Sequence, residues 1–195
     1  MKKLILVSFS VFNWFIIFCQ EKSYQQPATI GIHFVFNDFV TAQLIRSSSL
    51  SSVLKDHKFG KLKDMSQGLA LSYGKGLSET FDFSTTLAGS FLSYPLEDKP
   101  ASGSDFLLLE GDACIRGKMF SDKYWFVPYL QVGVGVSKYQ GYWGTFIPAG
   151  VGLQISFFGE AYLLINSQYR IAVTETTNYH FLHSIGLVGN IGRRS

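Results

Sequence analysis

The sequence predicts an all-β protein, an eight-stranded antiparallel up-and-down transmembrane β-barrel over residues 29–192. Beyond its N-terminus the chain has no unbroken apolar run long enough for a membrane-spanning helix, although its mean hydropathy is slightly positive at +0.16. Aromatic residues reach 16% while charged residues fall to 16%, below the usual quarter or so. In addition, apolar residues alternate with small or polar ones along most of the chain, which is typical of membrane barrels.

The N-terminus predicts a cleavable signal peptide over residues 1–19. Two lysines precede an almost wholly apolar run over 4–18, which is short for a spanning helix, and polar residues follow at once. We expect cleavage near Cys19, whose side chain is small. The alternative is a lipid-bearing Cys19, but lipoprotein signals place small residues before that cysteine and Phe18 is bulky. Residues 20–28 then form a short N-terminal segment.

The alternation defines eight strands. In the first, Ile30, Ile32 and Phe34 share one face, and His33 and Asn37 share the other. The predicted strands are 29–39, 67–75, 80–92, 106–120, 125–139, 145–158, 160–173 and 181–191.

The connections between these segments alternate in length. The long ones fall at 40–66, 93–105, 140–144 and 174–180, and the short ones at 76–79, 121–123 and 159–160. Outer-membrane barrels have long loops outside the cell and short turns in the periplasm. We therefore expect periplasmic termini, with residues 193–195 as a C-terminal tail.

The placement of charge indicates which face meets lipid. An Arg or Lys on the lipid face costs about 2–4 kcal/mol at the bilayer midplane and little near the interfaces. On the apolar faces, charges occur only at strand ends: Asp38, Lys75, Glu79 and Lys138. A lipocalin-like carrier would turn its other face to water and fill it with Lys and Glu, whereas here that face is mostly Gly, Ser, Gln and Asn. The pattern favours lipid outside and a crowded, narrow lumen.

Five mid-strand charges are expected inside that lumen. They are Glu110, Asp112, Arg116, Lys118 and Arg170. Unpaired charges in so small an interior are costly, so we expect ion pairs that plug the barrel. The alternative is a gated, narrow ion path.

The first long loop is basic. We expect its lysines to contact the anionic phosphates of lipopolysaccharide if the loop is extracellular. The alternative is a solvated loop whose charge is partly offset by Asp56 and Asp64. The candidate contacts are Lys55, Lys58, Lys61 and Lys63.

Other site chemistry is weak in this sequence. His183 and Ser184 are adjacent, so they point to opposite faces of a strand and do not form a catalytic pair. Cys114 has no partner once the signal is removed, and the four His lack zinc-site spacing, so we expect no metal and no cofactor. The basic residues are scattered, which disfavours nucleic acid as a partner.

Several stretches together resemble the N-terminal barrels of OmpA-type outer-membrane proteins of Bacteroidota. They are DKYWFVPYLQVGVG over 122–135, FIPAGVGLQ over 146–154, NSQYR over 166–170, HSIG over 183–186 and IHFVFND over 32–38. The resemblance implies the barrel fold and the outer membrane. It does not carry over the peptidoglycan-binding domain that often follows such barrels, because the eighth segment ends just before Ser195.

The function expected is a non-enzymatic structural or surface-interaction role with a plugged polar lumen. The alternative is a narrow porin-like channel or a lipid-modifying outer-membrane enzyme. Expected partners are outer-membrane lipid, lipopolysaccharide, and an unidentified surface or periplasmic protein.

Overall fold

A computed structural model describes residues 25–92, 106–157 and 160–191. Eight antiparallel strands follow one another in chain order, and β1 pairs with β8 to close a barrel. This confirms the predicted fold class. The predicted signal peptide, the connection over 93–105 and the tail lie outside the described residues. The strands are β1 (Thr29–Asp38), β2 (Ser66–Gly76), β3 (Phe81–Phe91), β4 (Leu107–Lys118), β5 (Phe126–Tyr139), β6 (Tyr142–Phe157), β7 (Ala161–Ala172) and β8 (His180–Asn190).

The apolar faces of the strands point outward. Phe34 and Val134 leave 63% and 67% of their surface exposed, whereas His33 is 4% exposed and Arg170 is fully buried. Because successive side chains of a strand alternate between faces, one period-two pattern produces both the apolar exterior and the polar interior. The barrel is therefore inside out relative to a water-soluble carrier such as a lipocalin.

The connection from β1 to β2 is folded rather than irregular. It contains the helices α1 (Phe39–Ser47) and α2 (Leu50–Lys55) and a short 3₁₀ turn over Leu62–Asp64. Ala42 and Val53 are buried at 0% and 2% exposure, and α1 packs against β8. The helices therefore lie over one end of the barrel, which we call the loop end; the opposite end is the turn end.

Asp38 begins α1. Its Oδ1 accepts a hydrogen bond of 2.8 Å from the backbone N–H of Thr41, and both residues are buried. We expect Asp38→Ala to destabilise α1 by about 1 kcal/mol, because one N-terminal donor loses its acceptor. Amide hydrogen exchange in α1 should become several-fold faster. Asp38→Asn, which keeps a good cap, should retain the native protection; equal exchange in the two variants would contradict the capping role.

Two predicted connections are wrong in length. The loop expected at 140–144 is a two-residue turn, in which Gln140 and Gly141 have φ of 47° and 85° and Tyr139 pairs with Tyr142. Positive φ at both central residues is typical of the hairpin turn that matches strand twist. The short connection expected at 121–123 is longer, because β4 ends at Lys118 and β5 begins at Phe126. No helix among the described residues is long and apolar enough to cross a membrane.

Candidate functional site

Arg170 is the centre of an ion network in the loop-end half of the lumen. Its guanidinium pairs with Glu110 and, at 2.9 Å, with Asp112. His180 Nε2 lies 3.3 Å from the second oxygen of Glu110. All four side chains are at most 5% exposed. The paired carboxylates compensate a cation that would be costly to bury alone.

The loop-end network is in contact with both the barrel wall and the covering helix. The Phe146 ring lies 4.6 Å from the Arg170 guanidinium, which is a cation–π arrangement. On the other side, the Phe39 ring of α1 stacks on His180 at a centroid distance of 4.5 Å. The ion network and the helix above it therefore form one packed unit.

A second network occupies the turn-end half of the lumen. Lys118 Nζ lies 2.9 Å from Asp82 and also pairs with Asp122, and Gln154 donates a 3.0 Å hydrogen bond to Asp122. The five predicted lumen charges are all buried inside the barrel. The structure nevertheless divides them, because Lys118 does not join the Arg170 network.

Arg116 lies between the two networks. Its guanidinium is 5.2 Å from the Tyr129 ring centre, and no ion pair to it occurs within the described residues. Nearby, His33 and Ser72 share a hydrogen bond of 2.6 Å. The cavity left among these side chains measures about 10 Å³, which is room for about one water molecule.

Sequence reasoning missed three members of these networks. Asp82 lies on β3 and pairs with Lys118 of the next strand, β4, a contact that no pattern within a single strand reveals. Asp122 and His180 fall in predicted connections, so no alternation marked them as lumen residues. Strand register would have revealed Asp82, since Asp82 lies opposite Arg116 and beside Lys118.

The four loop lysines are exposed but spread out. Lys55 ends α2, Lys63 lies in the 3₁₀ turn, and Lys58 pairs with Asp56 at 3.3 Å on the surface. The structure does not gather them around a common point.

His183 and Ser184 point to opposite faces of β8, as expected from their adjacency. His183 faces outward, and its partner is Ser167 on β7, with 3.0 Å between Nδ1 and Oγ. The two residues are register neighbours. Only the pairing of β7 with β8 brings them together, so single-strand periodicity gave no signal for this contact.

An aromatic rim surrounds the loop end of β7 and β8 on the outside. We define it as Phe59, Tyr169, Tyr179 and Phe181. Neighbouring rings lie 4.8–6.2 Å apart between centroids. The guanidinium of Arg46, from α1, lies 4.0 Å above the Tyr179 ring. At the turn end, Phe120, Tyr124, Trp125 and Phe126 form a second aromatic cluster.

The described residues contain no group of three or more His, Cys, Asp or Glu arranged to hold a metal ion. The chemistry of the barrel is therefore that of two ion networks inside, aromatic residues at both ends, and one histidine–serine pair on an otherwise apolar face.

Comparison with known proteins finds similarity in structure only. No protein-family model matches the chain, and no curated protein matches it by sequence. The N-terminal β-barrel domain of Pseudomonas aeruginosa OprF superposes with a TM-score of 0.53 at 9% identity, covering 85% of this chain and 98% of that one. Neisserial surface protein A superposes with a TM-score of 0.55 at 12% identity, covering 86% of this chain and 99% of that one. The outer membrane protein OprG from Pseudomonas aeruginosa superposes with a TM-score of 0.54 at 10% identity, covering 85% of this chain and 96% of that one. The chain thus has the fold of small outer-membrane barrels.

Proposed function

We propose that this chain is an integral outer-membrane protein with a plugged lumen and a non-enzymatic structural or surface-interaction role. Its apolar outer face and its likeness to outer-membrane barrels support that location, with the loop end outside the cell. The OmpA-type barrels of Bacteroidota are the family we propose for it, on the sequence stretches given above. We further propose that export uses a cleaved signal over 1–19.

The observation that supports the plug is the presence of buried ion pairs in both halves of the lumen. An eight-stranded barrel is just wide enough for side chains to fill its interior. Here Arg170, Glu110 and Asp112 occupy the loop-end half, and Lys118 with Asp82 occupies the turn-end half. The remaining mid-lumen cavity of about 10 Å³ is too small for a column of water. Opening a path would require both sets of ion pairs to separate.

Conductance in a planar bilayer tests the plug. We expect the refolded protein to insert without giving steady single-channel currents, because buried ion pairs occupy both halves of the lumen. Folding is verified by heat-dependent migration of the same sample on a detergent gel, and insertion by flotation of the protein with lipid vesicles. A steady current that is lost in Arg170→Gln but kept in Lys55→Gln would overturn the plug in favour of a narrow channel.

For partners, we propose that the loop end meets the lipopolysaccharide surface. Lys55, Lys58, Lys61 and Lys63 supply positive charge there, and all are solvent-exposed. Charge attraction to phosphate groups is long-ranged and needs no shared pocket. An unidentified surface or periplasmic protein is a further proposed partner, for which the outer loops and the turn end provide the accessible surface.

A further inference from the structure

One sector of the outer face is unlike the rest. At the middle of β7 and β8, Ser167 and His183 form a hydrogen-bonded pair on the outer surface, with mostly apolar side chains around it. In the strand register, Ser167 lies opposite Val151 of β6, and His183 lies opposite Phe36 of β1. A pair of polar side chains facing hydrocarbon is unfavourable unless a polar group of the surroundings meets it.

A groove runs beside this pair. It has a volume of about 480 Å³ and is open to the outside, with walls formed by Phe36, Val151, Leu153, Ile165, Ile185 and the Ser167–His183 pair. The small Ser167 side chain lies between larger neighbours and provides the depression. A groove of this size and apolar lining accommodates an acyl chain.

The aromatic rim lies above the groove on the loop-end side, and one cation, Arg46, lies against it. The Phe181 and His183 rings are stacked with 5.8 Å between their centroids. The Phe59 ring lies edge-on to both, with its centroid 5.6 Å from that of Phe181 and 6.4 Å from that of His183. Arg46 is exposed above Tyr179 and supplies a cation at the rim.

The vertical order of these groups matches that of a membrane lipid. From the loop end toward the barrel middle, the sector presents the Arg46 cation, aromatic rings, a hydrogen-bonding pair and then aliphatic side chains. Two residues of a strand tilted by about 40° descend about 5 Å. A phosphorylated lipid in the outer leaflet presents phosphate, sugar, ester carbonyl and acyl chain in the same order.

We propose that the β7–β8 face binds one molecule of the phosphorylated glycolipid of the outer leaflet, the lipid A part of lipopolysaccharide. An acyl chain occupies the groove, and Arg46 contacts a phosphate. With its proton on Nδ1, His183 donates to Ser167, whose hydroxyl then donates to a lipid ester carbonyl. The proposal rests on the proposed outer-membrane location and is independent of whether the lumen conducts.

The chain offers matched controls on other faces of the barrel. Thr85 is also an outward, mid-strand hydroxyl, but it already donates to the backbone carbonyl of Asp112 at 2.8 Å. Lys138 lies over Trp143 at 5.4 Å, which is another exposed cation–aromatic pair at the loop end. Neither Thr85 nor Lys138 lines the groove on the β7–β8 face.

The experiment is native mass spectrometry of the folded protein. Protein is reconstituted with equal amounts of lipid A and phosphatidylethanolamine, released from the bilayer, and weighed with its retained lipid. We expect wild type to retain one lipid A in preference to phosphatidylethanolamine.

The double variant Ser167→Val/His183→Leu and, separately, Arg46→Gln should each lower the retention of lipid A about fivefold, the factor that one net hydrogen bond supplies. Thr85→Val and Lys138→Gln should bind as wild type does. Gel migration with and without heating confirms that every variant is folded.

Three results would overturn the site. Equal retention of both lipids by wild type and all variants would show only general lipid contact. Loss of lipid A binding in the four-lysine Gln variant at positions 55, 58, 61 and 63, but not in Arg46→Gln or the double variant, would place binding on the loop instead. Appearance of lipid A lighter by one acyl chain would replace a binding site with an esterase. By contrast, failure of wild type to insert into bilayers at all would contradict the outer-membrane location itself.

Discussion

Arg170→Met is expected to lower the free energy of unfolding by about 3–5 kcal/mol, the usual effect of removing one partner of a buried ion pair. The methionine approximates the volume of the aliphatic part of the side chain but leaves Glu110 and Asp112 without their cation. Both carboxylates are buried, so water does not replace the lost partner. The stacking of Phe39 on His180 extends the effect to the covering helix α1.

Urea titration in lipid vesicles, followed by tryptophan fluorescence and gel migration, measures this loss. Arg116→Met is the matched control: it removes a lumen arginine that has no ion pair among the described residues, and should lose clearly less stability. The triple variant Arg170→Met/Glu110→Gln/Asp112→Asn removes the uncompensated charges as well, so it should recover a large part of the loss. A triple variant as unstable as Arg170→Met would mean that packing rather than charge explains the effect.

The difference between Arg170 and Arg116 also shows what sequence reasoning can reach. Both arginines were placed in the lumen from alternation alone, because a strand with period two leaves only two faces and lipid excludes mid-strand charge from one of them. Which side chains each arginine meets, carboxylates for Arg170 and the Tyr129 ring for Arg116, depends on strand register and barrel closure. The sequence contains no local signal for either, so the separation into two ion networks was not predicted.

Exceptions to the alternation limited the prediction in a second way. Leu108, Leu164 and Leu182 are buried inside the barrel at 1–2% exposure, although they occupy polar-face positions. Each packs in a separate small cluster of buried apolar side chains inside the barrel, and a pattern that treats every leucine as lipid-facing assigns them no role. The helices α1 and α2 were missed because their short apolar faces lie within a region whose length and polarity are typical of a loop.

The turn at Gln140 and Gly141 illustrates a third limit. Asn-Gly and Asp-Gly are the usual signals for such a turn, because Asn and Asp tolerate positive φ. Gln140 has no such preference, and its φ of 47° is imposed by the pairing of Tyr139 with Tyr142. The strands, not the turn residues, determine this connection, and the alternation pattern, which ended at Tyr139 and resumed at Thr145, placed a longer loop there.

Val132→Arg is the second substitution with a large expected effect. Val132 lies near the middle of β5, faces outward and leaves 57% of its surface exposed. In a bilayer the arginine would sit in the hydrocarbon region and should cost about 2–4 kcal/mol of unfolding free energy. If the barrel instead stood in water, an outward arginine at a position with open space around it would have almost no effect, since exposed charge is well solvated.

Phe126→Arg is the control within the same strand. Phe126 is also outward, 40% exposed, and lies at the turn end of β5 beside Trp125. There the arginine reaches the interfacial region, where the same substitution costs about 0–1 kcal/mol. Both variants are unfolded with urea in vesicles of equal lipid composition. A clear gap between them, with Val132→Arg the less stable, follows only if a hydrocarbon layer surrounds the middle of the barrel. Equal stabilities would instead require water around this face, and both the outer-membrane location and the lipid site on β7 and β8 would fail with it.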